Sequence, residues 1–273
     1  MFKFIKYLRS GVVLSAITAI SLGLSAGPVN AQEEDDDKEK EKDRVVKVDC
    51  NKGDDVQDVL EQYAFETKIL VLIIEGICES DEAIEVTRNN VEFVGAGPYE
   101  QRGYITGVLE VEGGRGVYIG DNMILDDLRV EYGQVFLDAG EGTITINGGV
   151  GVNFQSVLTI SAEDQEGSVV VNPDIDIDLL NQSLLLIQQD EFASAGSVTT
   201  GNINASLQSA ARVRAASIGD MNLGSDSHTY FESDVQSNGD DLVTLGCDDS
   251  HSRYWGMLDE NVFDVHNSVC IGM

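Results

Sequence analysis

Basic residues are scarce in this chain. It has 17 Lys and Arg against 48 Asp and Glu, a formal charge of −31, and beyond Val130 the only Lys or Arg are Arg212, Arg214 and Arg253. Residues 1–31 hold three bases (Lys3, Lys6, Arg9) and no acid, so the chain from Gln32 onward carries −34. Nucleic acids and anionic lipid surfaces are bound through counter-charged Lys and Arg patches, and this charge argues against both as partners. Proline is nearly absent, at 3 residues, whereas disordered linkers are rich in it; the 28 Gly therefore read as tight turns. No Cys-x-x-Cys spacing occurs, so the common structural metal frameworks are missing. The longest apolar run, Gly11 to Gly27, is slightly short and too rich in Gly and Ser for a membrane span.

That run reads instead as the h-region of a secretory signal. Lys3, Lys6 and Arg9 precede it, and Pro28 and Val29-Asn30-Ala31 follow it as a small-residue cleavage site, so residues 1–31 are expected to be removed on export. The destination is then the periplasm or the outside of the cell, with no membrane insertion after cleavage. Next comes Gln32 to Arg44, with eight acids, four bases and no apolar residue, an acidic spacer (32–44) that cannot bury anything. Such a flexible run, Glu33 to Asp37 included, binds divalent ions weakly. In an exported protein the four cysteines read as two local disulfides, Cys50 with Cys78 and Cys247 with Cys270, separated by 28 and 23 residues; other pairings remain formally open.

From Val45 the chain is a succession of short alternating runs punctuated by Gly, Asn and Asp. Ile84-Glu85-Val86, Val91-Glu92-Phe93-Val94, Val108-Leu109-Glu110-Val111, Thr143-Ile144-Thr145-Ile146 and Ile175-Asp176-Ile177 predict strands. One amphipathic helix is predicted over Asp55 to Phe65, with Val56, Val59, Leu60 and Tyr63 on one face and Asp54 with Gln57 as a capping box. Gln155-Ser156-Val157-Leu158-Thr159-Ile160 recurs as Gln182-Ser183-Leu184-Leu185-Leu186-Ile187 and as Gln208-Ser209-Ala210-Ala211-Arg212-Val213. Aligned, the repeats put Val135, Leu158, Leu185, Ala211 and Thr229 in one inward column, and Leu137, Ile160, Ile187, Val213 and Phe231 in the next. Phe136, Thr159, Leu186, Arg212 and Tyr230 then face outward, beside Asp138, Ser161, Gln188, Arg214 and Glu232. Strands that recur once per repeat and stack in parallel make an all-β, single-stranded parallel β-solenoid over 45–256. The helix would cap its N-terminal end and residues 257–273 would form a C-terminal cap segment.

The opening Val48-Asp49-Cys50-Asn51-Lys52-Gly53-Asp54-Asp55-Val56-Gln57-Asp58-Val59-Leu60, with Ile74-Glu75-Gly76-Ile77-Cys78 and Val91-Glu92-Phe93-Val94-Gly95-Ala96-Gly97, resembles exported bacterial right-handed parallel β-helix proteins of the pectate-lyase-like superfamily. The resemblance implies a fold and an end cap. The family holds polysaccharide lyases, glycoside hydrolases and adhesins, so it does not imply an activity.

Candidate chemistry is thin. A lyase needs a basic residue and cations beside a uronate, and Arg212 with Arg214 on one outward face are the available pair; Arg214 aligns with Glu232, which favours a surface ion pair. A hydrolase needs opposed carboxylates, and the doublets Asp126-Asp127 and Asp240-Asp241 are expected to point to opposite faces of a strand. Asp174, Asp176 and Asp178 alternate with apolar residues and lack the Gly and Glu of a calcium loop, although carboxylates from an adjacent coil could complete a weak Ca²⁺ site. The segment Cys247 to Gly256 gathers Asp248, Asp249, His251, Arg253, Tyr254 and Trp255, the residue types of a sugar platform, at a place where Trp255 would plug the last coil. His228 and His266 have no partner at metal or triad spacing. The reading favoured is a non-catalytic scaffold or binding module for a glycan or cell-surface protein, requiring no cofactor. The alternative is a lyase or hydrolase acting on acidic polysaccharide.

Overall fold

Alternating Val, Ile and Leu can bury one face of a strand only if the chain returns to cover that face, and here it returns about 8 times. The computed structural model describes residues 43–97, 102–162, 166–188, 196–214, 216–232, 235–239, 241–247, 251–256, 262–266 and 271–272. The expected signal (1–31) and nearly all of the acidic spacer lie outside them. Strands pair only in parallel, each with its counterpart one coil on, and form a parallel β-solenoid. In the middle coils the chain runs through three strands per turn, for example Gln134–Ala139, Thr143–Ile146 and Val150–Asn153, before Val157–Ala162 begins the next. We call the three resulting columns faces 1, 2 and 3.

The expected register on face 1 is the observed one. Val135 pairs with Leu158, Leu185, Ala211 and Thr229 in turn, and Leu137 with Ile160, Ile187, Val213 and Phe231. All ten are buried. Gln188 departs from expectation. The repeat alignment puts it in the outward column, yet it is 1% exposed, because its backbone turns left-handed (φ 52°) as the strand Leu184–Ile187 ends. Its side chain folds back, accepting the Ala162 amide at 3.4 Å. The strand expected at Ile175-Asp176-Ile177 runs instead over Ile177–Leu179, since Ile175 closes a turn on Asn172.

Pairing continues past residue 256, so the 257–273 segment extends the stack as well as ending it: Phe263–His266 pairs with Val243–Cys247, and Ile271–Gly272 with Arg253–Trp255. Trp255 is therefore no plug. It lies in the outward column of face 1 below Tyr230, and Tyr254 packs toward the core.

The corner between faces 3 and 1 explains the Gln-Ser repeat. Phe154 and Gln155, Asn181 and Gln182, Leu207 and Gln208, Ser225 and Asp226 are consecutive residues with φ between 52° and 66°, which swing the chain sharply from one face to the next. Left-handed conformation costs a non-glycine residue about 1–2 kcal/mol. The buried serine that follows each pair helps to hold it. Ser183 Oγ donates to Leu180 O at 2.6 Å and Ser227 Oγ to Gly224 O at 2.6 Å; Ser209 Oγ accepts the Ser183 amide at 3.2 Å from the adjacent coil.

At the N-terminal end the strand Arg44–Asp49 and helix α1 (Val56–Gln62) cover the first coil, with Val56 and Leu60 buried. The helix is shorter than expected and its cap is Asp55, whose carboxylate accepts the amides of Gln57 and Asp58 at 2.7 and 3.1 Å. Asp54 does not cap it, because its own carboxylate is taken by the Asp49 amide at 2.9 Å. The Cys50–Cys78 disulfide is formed. Cys247 is also disulfide-bonded, while its expected partner Cys270 lies outside the described residues.

One inward residue is mismatched to its surroundings. Thr229 is 1% exposed between Ala211 and Tyr254, and its hydroxyl has no hydrogen-bond partner. Thr229→Val keeps the shape and removes the unsatisfied group, so thermal or urea unfolding should show a gain of about 1 kcal/mol.

Candidate functional site

The arginine pair lies where the register expected it. Arg212 Nε donates to Glu232 Oε1 at 2.7 Å, Nη2 contacts the same oxygen, and Arg214 Nε lies 3.7 Å from Oε2. Arg212 also stacks over the Tyr230 ring, 5.6 Å from its centroid. Glu232 thus engages both guanidiniums, and neither is presented as a bare cation to a substrate carboxylate.

The cluster expected at 248–255 separates. Asp248 and Asp249 lie outside the described residues. His251 stands at the corner, its Nδ1 3.6 Å from Asp226 Oδ1. Arg253 and Trp255 lie outward on face 1, with the Trp255 ring tilted against His228 at 5.3 Å. Strand alternation thus distributes these residue types over three environments.

Asp176 and Asp178 are met from the next coil by amides. Asn202 Nδ2 donates to Asp176 at 2.9 Å, Asn204 Nδ2 to Asp176 at 3.1 Å and to Asp178 at 3.0 Å, and Asn222 Nδ2 continues the ladder to Asn204 at 3.0 Å. The preceding coil places Gly151 beside Asp178. Neither neighbour brings the further carboxylates that a Ca²⁺ site would need. Asp174 is exposed, with its amide on Asn172. Among the described residues no group of three His, Cys, Asp or Glu is placed to hold a metal ion.

Asp126 and Asp127 do not point to opposite faces. The long strand Met123–Glu131 bends around the corner between faces 2 and 3, where Ile105 pairs with Leu125 but Val108 pairs with Asp127. Both carboxylates are partly exposed at that bend. Asp126 accepts the Tyr104 hydroxyl at 2.5 Å and the Gly107 amide at 3.2 Å, while Asp127 accepts the Gly149 amide at 2.6 Å. They pin neighbouring coils together. Of the second doublet, Asp240 lies outside the described residues.

On the N-terminal half of face 1, Glu92 sits between Val71 and Tyr118. Burial pushes its carboxyl above its ordinary value of 4.5, and Asp43 and Asp121 add to the shift. A carboxyl raised on folding contributes stability that is full below its unfolded pKa and is lost as pH rises through the folded one. Glu92→Gln is therefore expected to raise stability at neutral pH and to flatten the stability profile just above pH 4.5; an unchanged profile would contradict it.

An open groove of about 550 Å³ runs along the corner between faces 3 and 1. Tyr132, Phe154, Asn181, Leu207 and Ser225 line it together with Gln155, Gln182, Gln208 and Asp226. The glutamines form a ladder: Gln155 Nε2 donates to Gln182 Oε1 and Gln182 Nε2 to Gln208 Oε1, each at 3.0 Å. Tyr132 stacks on Phe154 with centroids 4.9 Å apart and rings nearly parallel. His251, through Asp226, joins the far end. None of the glutamines was a candidate from sequence, although the Gln-Ser repeat was the signal that carried them.

Fold and site define a parallel β-solenoid with an amide-lined axial groove. No family model, curated protein or solved structure matches the chain.

Proposed function

We propose that the protein is an exported, non-catalytic binding module that takes an elongated ligand along the groove between faces 3 and 1. The groove itself carries the reading, because its residues recur coil after coil and offer hydrogen-bonding amides along its length, with Asp226 as the one carboxylate at its end. The resemblance to exported bacterial pectate-lyase-like β-helix proteins, the signal-like N-terminus and the disulfides support an extracellular or periplasmic setting. Turnover of acidic polysaccharide has less support, since Glu232 engages Arg212 and Arg214.

The test incubates the mature protein with immobilised neutral and acidic polysaccharides, with Ca²⁺ and with EDTA, scoring retention and shortened products by mass spectrometry. Retention without products is expected. Products released in either condition would replace the binding module with an enzyme.

A further inference from the structure

Resting on the groove as the binding surface, we infer that its ligand is a neutral, hydroxyl-rich glycan chain lying along the solenoid axis with one sugar unit per coil. Charge is the first argument. In a chain with 48 acids, only one of the nine groove residues, Asp226, is charged. An acidic polymer would have to approach a strongly negative protein without a cation to receive it, whereas a neutral one meets no such barrier.

Hydrogen-bonding capacity is the second. A primary amide has two N–H donors and an oxygen with two lone pairs. Gln182 spends one donor and one lone pair on its neighbours in the ladder, which leaves one of each for a ligand. A sugar hydroxyl both donates and accepts, so it complements such a group. An extended peptide does not fit as well, because it seeks a free backbone edge. Here the amides of Gln155, Gln182 and Gln208 are already bonded to the carbonyls of Asn181, Leu207 and Ser225 at 2.9–3.0 Å.

Spacing is the third. Successive coils rise by about 4.8 Å, so the groove from Tyr132 to Asp226 spans about 19 Å, and an extended pyranoside chain repeats at close to the same rise. At one end Tyr132 is 57% exposed. The preceding coil pairs Glu112 with Glu131, and the next residue along it, Gly113, has no side chain and nothing within 4 Å of where one would begin, which leaves room for a terminal sugar to stack on the ring.

The experiment measures binding of neutral gluco-, manno-, xylo- and N-acetylglucosamine oligomers, from dimer to hexamer, by calorimetry, with oligogalacturonates and a polar unstructured peptide as comparisons. At least one neutral series should bind, gaining affinity with length up to the four or five units that the groove holds. The triple variant Gln155→Ala, Gln182→Ala, Gln208→Ala and the single variant Tyr132→Ala should each weaken binding about tenfold or more while leaving the circular dichroism spectrum unchanged. Arg212→Ala, on another face, should bind as the parent does. Neutral-glycan binding untouched by both groove variants would overturn the groove assignment while the binding module survives. Preference for oligogalacturonate or peptide would overturn the ligand class. Failure to bind any oligomer or any immobilised polysaccharide would overturn the binding module itself.

Discussion

Arg88→Ala is expected to destabilise the N-terminal end of the solenoid by about 2–3 kcal/mol, the cost of leaving buried carbonyls without their charged donor. Arg88 is only 7% exposed, although it is a charged residue in a turn. Its guanidinium donates to Tyr63 O at 2.7 Å, Glu66 O at 3.1 Å, Lys68 O at 2.7 Å and Asn89 O at 3.3 Å. Tyr63 is the C-cap of α1, whose last turn has no basic residue of its own. Arg88 therefore supplies from the next coil both the donors and the positive charge that the helix C-terminus lacks. Burial lowers its pKa and Glu66 opposes that shift, which marks a cation held in place by carbonyls at a desolvation cost.

Because coils contact mainly their neighbours, the damage should stay local. Hydrogen exchange in Arg88→Ala should accelerate in α1 and in Arg44–Asp49 while the strand Leu184–Ile187 keeps its protection. Arg88→Lys should recover only part of the loss, since one ammonium cannot reproduce the forked set of bonds. A variant within about 1 kcal/mol of the parent, with α1 still protected, would show that the carbonyls find other donors.

Arg88 also shows where the sequence stops being informative. In Thr87-Arg88-Asn89-Asn90 it reads as an exposed turn residue, and nothing local reveals that α1, more than 20 positions upstream, leaves its carbonyls there. Strand alternation and the inward columns were legible because burial on a pleated strand imposes a period of two, which a single sequence records. The buried serines were visible as part of a repeat, but not as corner pins, because left-handed turns are sought first at Gly and the pairs here are filled by Phe, Gln, Asn, Leu, Ser and Asp. The groove stayed hidden for the same reason. Its glutamines look like any exposed polar side chains until the corner brings them into one line. Asn202, Asn204 and Asn222 were within reach of the same repeat alignment carried one face further, and would have shown Asp176 and Asp178 facing amides. In the 251–255 stretch, strand alternation keeps Arg253 and Trp255 on one face and turns Tyr254 toward the core, a separation that nearness in sequence does not show.

The paired replacement Cys50→Ser, Cys78→Ser is expected to cost about 3–4 kcal/mol, the loop-closure value for a loop of this length. The loop of 28 residues contains α1 and most of the strand Leu70–Cys78, so the bond ties the whole N-terminal cap to the first full coil. Among the described residues the strand Arg44–Asp49 pairs on one side only, with Leu70–Glu75. Without the bond, the interactions left to hold it include that single ladder and the pairs Arg44–Glu66 and Lys47–Glu75, which are exposed enough to be worth little and to weaken with salt. Fraying should therefore begin there. A cap that opens bares the edge of a nine-residue apolar strand, a template for pairing with other copies, so the variant should also aggregate on warming. The check is thermal unfolding of the double variant beside the parent, without reductant so that the Cys247 disulfide stays intact, together with light scattering and exchange at α1. The variant is expected to show a separate, earlier transition for the cap and scattering that follows it. A single transition at the parent's temperature, with no scattering, would mean that Arg88 and the buried side chains of Val56 and Leu60 hold the cap by themselves.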